Sequence, residues 1–263
     1  MKKLLTAMLT IALSVVTALS LTACGKKDDA SSVQKAGKLV VGVTIYEPMD
    51  YLDADGNWTG FDAELAQGFA EELGVNCQIV IINWANKVAE LNSKQIDLIW
   101  NGMTASDELG GQIDFSVSYA KNAQVAVVKS DSTITTKEQV KTASIAVEQG
   151  SAGATVTEEI GAAKVNKVTA QIDALNEVKA GTSDVAIIDI TMAQSVVGKG
   201  DFANLKIVSG VSYGDEIFAV GLRKGSNLKE KLDAYLKAKY ADGTITKLAE
   251  KYSVGLNTDA LAA

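Results

Sequence analysis

The chemistry open to this chain is set first by what it lacks: there is no histidine, there are two cysteines, and the one arginine is Arg223. Without imidazole there is no Ser-His-Asp or Cys-His nucleophile and no histidine-bound metal, which leaves carboxylate, lysine, tyrosine and cysteine chemistry. No metal and no cofactor are expected. Two places stand out as sites. Asp189 closes the apolar run 185–188, at the C-terminal end of a buried strand where α/β proteins bind ligands; it could instead cap a helix starting near Thr191. Gln149-Gly150-Ser151-Ala152-Gly153 lies between a strand and a helix, so its N–H groups and the Ser151 hydroxyl could hold an anion, or it could be a plain strand-to-helix turn. Cys77 sits in the strand-like run 75–82 and reads as a packed apolar residue. Glu47, Asp50, Glu148, Asp215 and Glu216 fall in loops or crossings, where a solvated side chain is the simplest reading.

The charge narrows the partners. The 25 basic residues, all but one of them lysine, stand against 32 acids, and the net charge of −7 excludes the clustered positive surface that nucleic acid needs. Hydrophobic residues make up 47% of 263, enough for one large or two medium domains.

The first residues are not part of that body. Met1-Lys2-Lys3 is a basic start, residues 4–21 are an apolar run diluted by Thr and Ser, and Leu21-Thr22-Ala23-Cys24 follows. This is a lipobox: cleavage after residue 23 leaves Cys24 to carry acyl chains into the bilayer. An uncleaved transmembrane helix is the other reading, disfavoured by the polar residues and the small-Cys ending. Removing Lys2 and Lys3 with residues 1–23 takes the net charge from −7 to −9. Residues 24–37 read as the lipidated cysteine and a flexible polar tether. Cys77 is then the remaining thiol, and no disulfide is expected.

From residue 38 onward, short β-branched runs alternate with helix-period segments, the pattern of an α/β fold around mainly parallel strands. Strands are predicted at 39–43, 78–82, 96–100, 124–129, 144–147, 164–168, 184–188, 205–208 and 217–222. The clearest helix spans 62–73, with Phe61, Leu65, Ala66, Phe69, Ala70 and Leu73 on one face, Asp62 as N-cap and Gly74 as its stop. Two more helices, 227–240 and 242–252, close the chain. Polar stretches at 129–137 and 209–216 read as crossings between two domains, which makes a clamshell with its site in the cleft.

In this order the pieces resemble the polar amino-acid family of solute-binding proteins that serve ATP-driven importers. The resemblance covers about residues 38–255. It rests on Tyr46-Glu47-Pro48-Met49, Gly60-Phe61-Asp62, Trp84, Gln95-Ile96-Asp97-Leu98-Ile99, Trp100-Asn101-Gly102-Met103-Thr104, Gln112-Ile113-Asp114-Phe115-Ser116, Gln149-Gly150-Ser151, Val185-Ala186-Ile187-Ile188-Asp189, Gly221-Leu222-Arg223-Lys224-Gly225 and Ala241-Asp242-Gly243-Thr244-Ile245. It implies a two-domain periplasmic-binding-protein clamshell with two hinge crossings and a discontinuous outer domain: 38–129 plus 217–256 in one lobe, 130–216 in the other, and 257–263 as a tail. It implies a monomer that captures a small molecule outside the cell and hands it to the membrane permease of an ABC importer, with the bilayer as a further partner through Cys24.

The resemblance also implies a ligand set. Asp189 would accept the ligand's ammonium. Gly102, Thr104, Ser106, Gln149, Gly150 and Ser151 would surround the carboxylate end, and Tyr46, Met49 and Tyr51 would cover the ligand, with core packing as the other reading of each. Trp84 and Trp100 are further candidates, Trp100 more as core. One departure matters. Where the family places the arginine that grips the α-carboxylate, counting from Gly102, this chain has Leu109, and Arg223 lies where the family shows surface charge. Three outcomes follow: an amino acid held by hydroxyls, N–H groups and a lysine such as Lys87 or Lys121; an amine or carboxylate-masked ligand; or an impaired site. A dehydratase-like enzyme on the same fold, with Glu47 or Glu148 as general acid, is the reading from another class; the sensor half of a receptor is disfavoured.

Overall fold

The computed structural model describes residues 28–263; the leader and Cys24 lie outside the described residues. In chain order the elements are α1 (Asp29–Ala36), β1 (Lys38–Val43), β2 (Tyr51–Leu52), β3 (Trp58–Thr59), α2 (Phe61–Glu72), β4 (Asn76–Ile81), α3 (Lys87–Asn92) and β5 (Leu98–Ile99). Then come α4 (Asp107–Gly110), β6 (Asp114–Phe115), β7 (Ala120–Lys129), α5 (Lys137–Thr142), β8 (Ser144–Glu148), α6 (Ala152–Glu159), β9 (Lys164–Val168) and α7 (Gln171–Ala180). The chain continues with β10 (Val185–Asp189), α8 (Ile190–Val196), β11 (Leu205–Phe218), β12 (Gly221–Leu222), α9 (Leu228–Ala241), α10 (Thr244–Tyr252) and α11 (Thr258–Ala262).

Two five-stranded sheets carry the lobes. The first has the order β4-β1-β5-β12-β6 and the second β11-β7-β10-β8-β9. Their centres are parallel: β1 pairs with β4 and β5, and β8 with β9 and β10. Strands such as β10 and β8 are buried nearly end to end because helices cover both faces, so Val185, Ala186, Ile187 and Ile188 need no polar alternation. Helix α2 lays Phe61, Leu65, Ala66 and Phe69 on the first sheet; Phe69 meets Trp100 edge-on with ring centroids 6.4 Å apart.

Strands β7 and β11 run antiparallel through both lobes. Their shared end bridges to the first lobe, Ala120 to Leu256 and Phe218 to Thr104, whereas Asp189 pairs with Gln124 inside the second sheet. The first crossing therefore falls near residues 118–122, at the start of β7 and not after its end as the polar stretch 129–137 suggests. The second stretch, 209–216, is strand and not loop. β11 continues to Phe218 by absorbing two irregularities, and Gly210 and Gly214, at φ of 72° and 64°, supply the left-handed residues that such bulges use.

Three further expectations are corrected. The tether is structured from Asp29, because α1 buries Ala30 and Val33 and its Asp29 carboxylate accepts from Arg223 Nε at 2.9 Å. Arg223 is not surface charge. It is 2% exposed, and its remaining N–H groups reach Leu91 O, Ile96 O and Asp97 Oδ1 at 3.0, 2.7 and 3.0 Å. The segment 257–263 is no loose tail, since α11 buries Leu261 and Asn257 donates to Ser118 Oγ at 2.7 Å.

Asp62 is likewise not the cap of its helix. Gly60 holds that position, and Asp62 turns into the core to accept from Gly102 N at 2.6 Å and Tyr119 Oη at 2.8 Å. Asp50 lies beside it, fully buried, and is not a solvated loop residue; it accepts from Asn101 Nδ2 at 2.8 Å. Cys77 is a half-buried thiol pushed up to about 12 by burial and then by the Asp50 charge, as suits a packing residue and not a nucleophile.

Candidate ligand-binding cleft

A cleft of about 650 Å³ opens between the lobes. The first lobe contributes Trp84, Lys87, Gly102, Thr104, Ser106 and Leu109; the second contributes Glu148, Gln149, Gly150, Ser151, Gln171 and Asp189, with Tyr213 and Glu216 from the crossing strand. Glu148 and Asp189 end the neighbouring parallel strands β8 and β10, and Gln149-Gly150-Ser151 is the turn into α6. The lobes touch across this space: Lys87 Nζ donates to Gly150 O at 2.7 Å and Thr104 Oγ1 to Glu216 Oε2 at 3.0 Å.

Of the sequence candidates, Gly102, Thr104, Ser106, Gln149, Gly150, Ser151 and Asp189 come together here, and Trp84 joins them. Tyr46 and Met49 are buried, 2% and 0% exposed; Tyr46 lies beneath the cleft, its ring against Gly102 and its hydroxyl beside Asp189. Tyr51 faces a separate groove with Glu47, Pro48 and Tyr252, where Glu47 accepts from Ser195 Oγ at 3.2 Å. The cause is the tight turn after β1, in which Met49 N and Asp50 N both bond Tyr46 O and fold this segment inward. Trp100 is fully buried, and Lys121 and Asp215 are exposed and do not line the cleft.

Five more side chains complete the site: Asn122, Gln124 and Gln171, which the sequence reading passed over, and Glu148 and Glu216, which it took for solvated side chains. Asn122 and Gln124 project from one face of β7, two residues apart, and each amide nitrogen bridges two carboxylates. Both donate to Asp189 Oδ1, and they reach Glu216 Oε2 at 2.8 and 3.0 Å respectively. Gln171, on the first turn of α7, donates to Asp189 Oδ2 and accepts from Asp189 N at 2.9 Å. Glu148 is the fourth and Glu216 the fifth. Glu148 is 2% exposed and its Oε1 has no hydrogen-bond partner among the described residues. Its position at the end of an apolar run is the same signal that singles out Asp189, so Glu148 was legible on that rule.

The electrostatics are one-sided. Burial, then the Glu216 charge, pushes Asp189 up to about 7 against the pull of the three amides. Burial, then the Asp189 charge, pushes Glu148 up to about 8, with the Thr44 hydroxyl and Lys87 acting the other way. Burial brings Lys87 down to about 8 although Glu148 and Glu108 favour its charge. Six carboxylates line the cleft against two lysines, so its field favours a cation.

Most of the groups expected to hold a carboxylate are already engaged, although Ser106 keeps its own O–H donor. Lys87 donates to Trp84 O as well as Gly150 O, and Thr104 donates to Glu216. Ser106 Oγ accepts from Leu109 N, and Ser151 Oγ caps α6 by accepting from Ala154 N while donating to Glu148 O. Leu109 is half-buried at the cleft wall and packs on the apolar cluster of Trp84, Met103 and Ile113.

A ligand-sized cleft between two α/β lobes joined by paired crossing strands defines a clamshell binding protein. The model of bacterial extracellular solute-binding proteins, family 3, matches residues 39–255, and the chain belongs to that family. It is 31% identical over 241 residues to the arginine-binding extracellular protein ArtP of Bacillus subtilis (strain 168), covering 90% of this chain and 93% of that one. Among solved structures it is similar to a mutant of ArgBP from T. maritima, with a TM-score of 0.81, 31% identity, and coverage of 85% of this chain and 98% of the other. It is also similar to the ancestral amino acid-binding protein AncCDT-1, described as a precursor of cyclohexadienyl dehydratase, with a TM-score of 0.79, 28% identity, and coverage of 86% and 99%.

Proposed function

We propose that this chain is the substrate-binding lipoprotein of an ABC importer, anchored outside the cytoplasm through Cys24, and that it captures a small nitrogen compound that is cationic and lacks a free carboxylate. Asp189 receives the cationic nitrogen. Its two oxygens offer about four acceptor sites and the amides fill three; a ligand N–H can take the fourth in place of the neighbouring Tyr46 hydroxyl. The observation that carries the reading is the imbalance of the cleft: six carboxylates line it against two lysines, Lys87 and Thr104 already donate within the protein, and Glu148 Oε1 keeps a free acceptor. An unpaired ligand carboxylate placed there would meet several kcal/mol of desolvation, on the order of the penalty for a buried ion.

A thermal-shift series with amino acids beside their amides and decarboxylated amines tests this. Stabilisation by the amines and not by the matching amino acids is the expected result; the reverse overturns it. The enzyme reading has one observation in its favour, an acid at Glu148 that holds its proton near neutrality inside the cleft. Glu47, the other candidate acid, lies in the separate groove. Glu148-dependent turnover of a hydroxy acid, followed by loss of substrate, would support that reading instead.

A further inference from the structure

We infer that Glu148 and Asp189 are two cation-receiving poles of one cleft, so that the compound it takes carries two protonated nitrogen groups, as a short linear diamine or an amino-guanidine does. The inference rests on the amine reading above and narrows it. Asp189 has a dedicated shell of three amides, shared in part with Glu216. Glu148 has a different surrounding: it ends β8 one strand away, about 5 Å across the sheet. It faces Thr44 and Lys87 of the opposite lobe.

A single ammonium at Asp189 leaves Glu148 buried with an unpartnered oxygen. The Lys87 ammonium does not fill that role: two of its three hydrogens go to the carbonyls of Trp84 and Gly150, and none reaches Glu148 Oε1. A second ligand nitrogen in reach of Glu148 Oε1 would supply the missing donor and the missing charge together, and buried carboxylates are stable as ions only when so paired. The wall opposite is apolar and aromatic, with Trp84 and Leu109, which suits the methylene spacer between two such groups.

The test is calorimetry of the full chain with linear α,ω-diamines of three to six carbons, the monoamines of the same lengths, and ornithine. The best diamine should bind about ten- to a hundredfold tighter than its monoamine, the worth of one further charged hydrogen bond. In Glu148→Gln the diamine's advantage over its monoamine should collapse to about even, whereas Asp189→Asn should weaken both and keep a diamine advantage. Equal affinity for diamine and monoamine in the wild type overturns the second pole and leaves the amine reading standing. Binding of ornithine alone, with every amine silent, overturns both. If Glu148→Gln does not fold, the wild type still decides: titrations in two buffers of different ionisation enthalpy at neutral pH should show more protons released by the diamine than by the monoamine. Equal release counts against the inference.

Discussion

The molecule places its cations in two very different regions. At the back of the first lobe, Arg223 is closed in by Asp29, Asp97 and two carbonyls, so every direction of the guanidinium fork meets an acceptor. At the cleft, Lys87 faces carboxylates without satisfying them and leaves Glu148 Oε1 bare. Both cations are buried. The first cluster is complete in itself and therefore structural; the second is incomplete, and incompleteness in a cleft is what a ligand can repair.

The contrast can be broken at the first region with the largest effect. Arg223→Ala leaves Asp29 and Asp97 without their partner and should cost about 3 to 5 kcal/mol in denaturant unfolding, while leaving affinity in the remaining folded protein unchanged. At the second region, Asp189→Asn keeps shape but removes the charge. Affinity for an amine should fall by about 1.5 to 3 kcal/mol, read by calorimetry, with little change in stability. Leu109→Arg should exchange the ligand preference, improving an amino acid and weakening its amine by about 1 to 2 kcal/mol each, because a guanidinium pairs with a carboxylate but repels a cation.

The smallest effect is a pH slope. Asp62 and Asp189 are held up at about 7 and Glu148 at about 8, all from an ordinary value near 4, so the folded chain binds more protons than the unfolded one across that window. Stability without ligand should therefore be greatest at the acid end and decline as pH rises from about 4 to about 8. Amine affinity should run the other way and strengthen as Asp189 and Glu148 ionise. Thermal melts at several pH values, with and without a saturating diamine, should show the two trends diverging.

Much of this was legible in the sequence where the signal is repetitive. Parallel core strands announce themselves as unbroken apolar runs, and the α2 stripe from Phe61 to Phe69 is a helix by its period alone. Polar residues misled wherever their partners are distant in sequence. Asp29 reads as tether because Arg223 lies 194 residues away, and Asp62 reads as a cap because nothing local shows Gly102 and Tyr119 converging on it. Asn122, Gln124 and Gln171 are silent for the same reason: a neutral amide carries no charge or motif, and its role exists only once Asp189 and Glu216 are brought beside it. The turn after β1, which folds back on itself, places the two tyrosines differently from an exposed cover: Tyr46 packs beneath the cleft with its hydroxyl beside Asp189, and Tyr51 faces a different groove.

Lys87 and Gly150 join the two lobes at the edge of the cleft. Gly150 stands so close to the opposite lobe that a Cβ there would lie 2.9 Å from Ala85 Cα, so the two halves abut main chain to main chain at this point. Parting the lobes at this point therefore costs the 2.7 Å Lys87–Gly150 bond as well as the main-chain contact, so the closed arrangement has a latch of its own apart from any ligand.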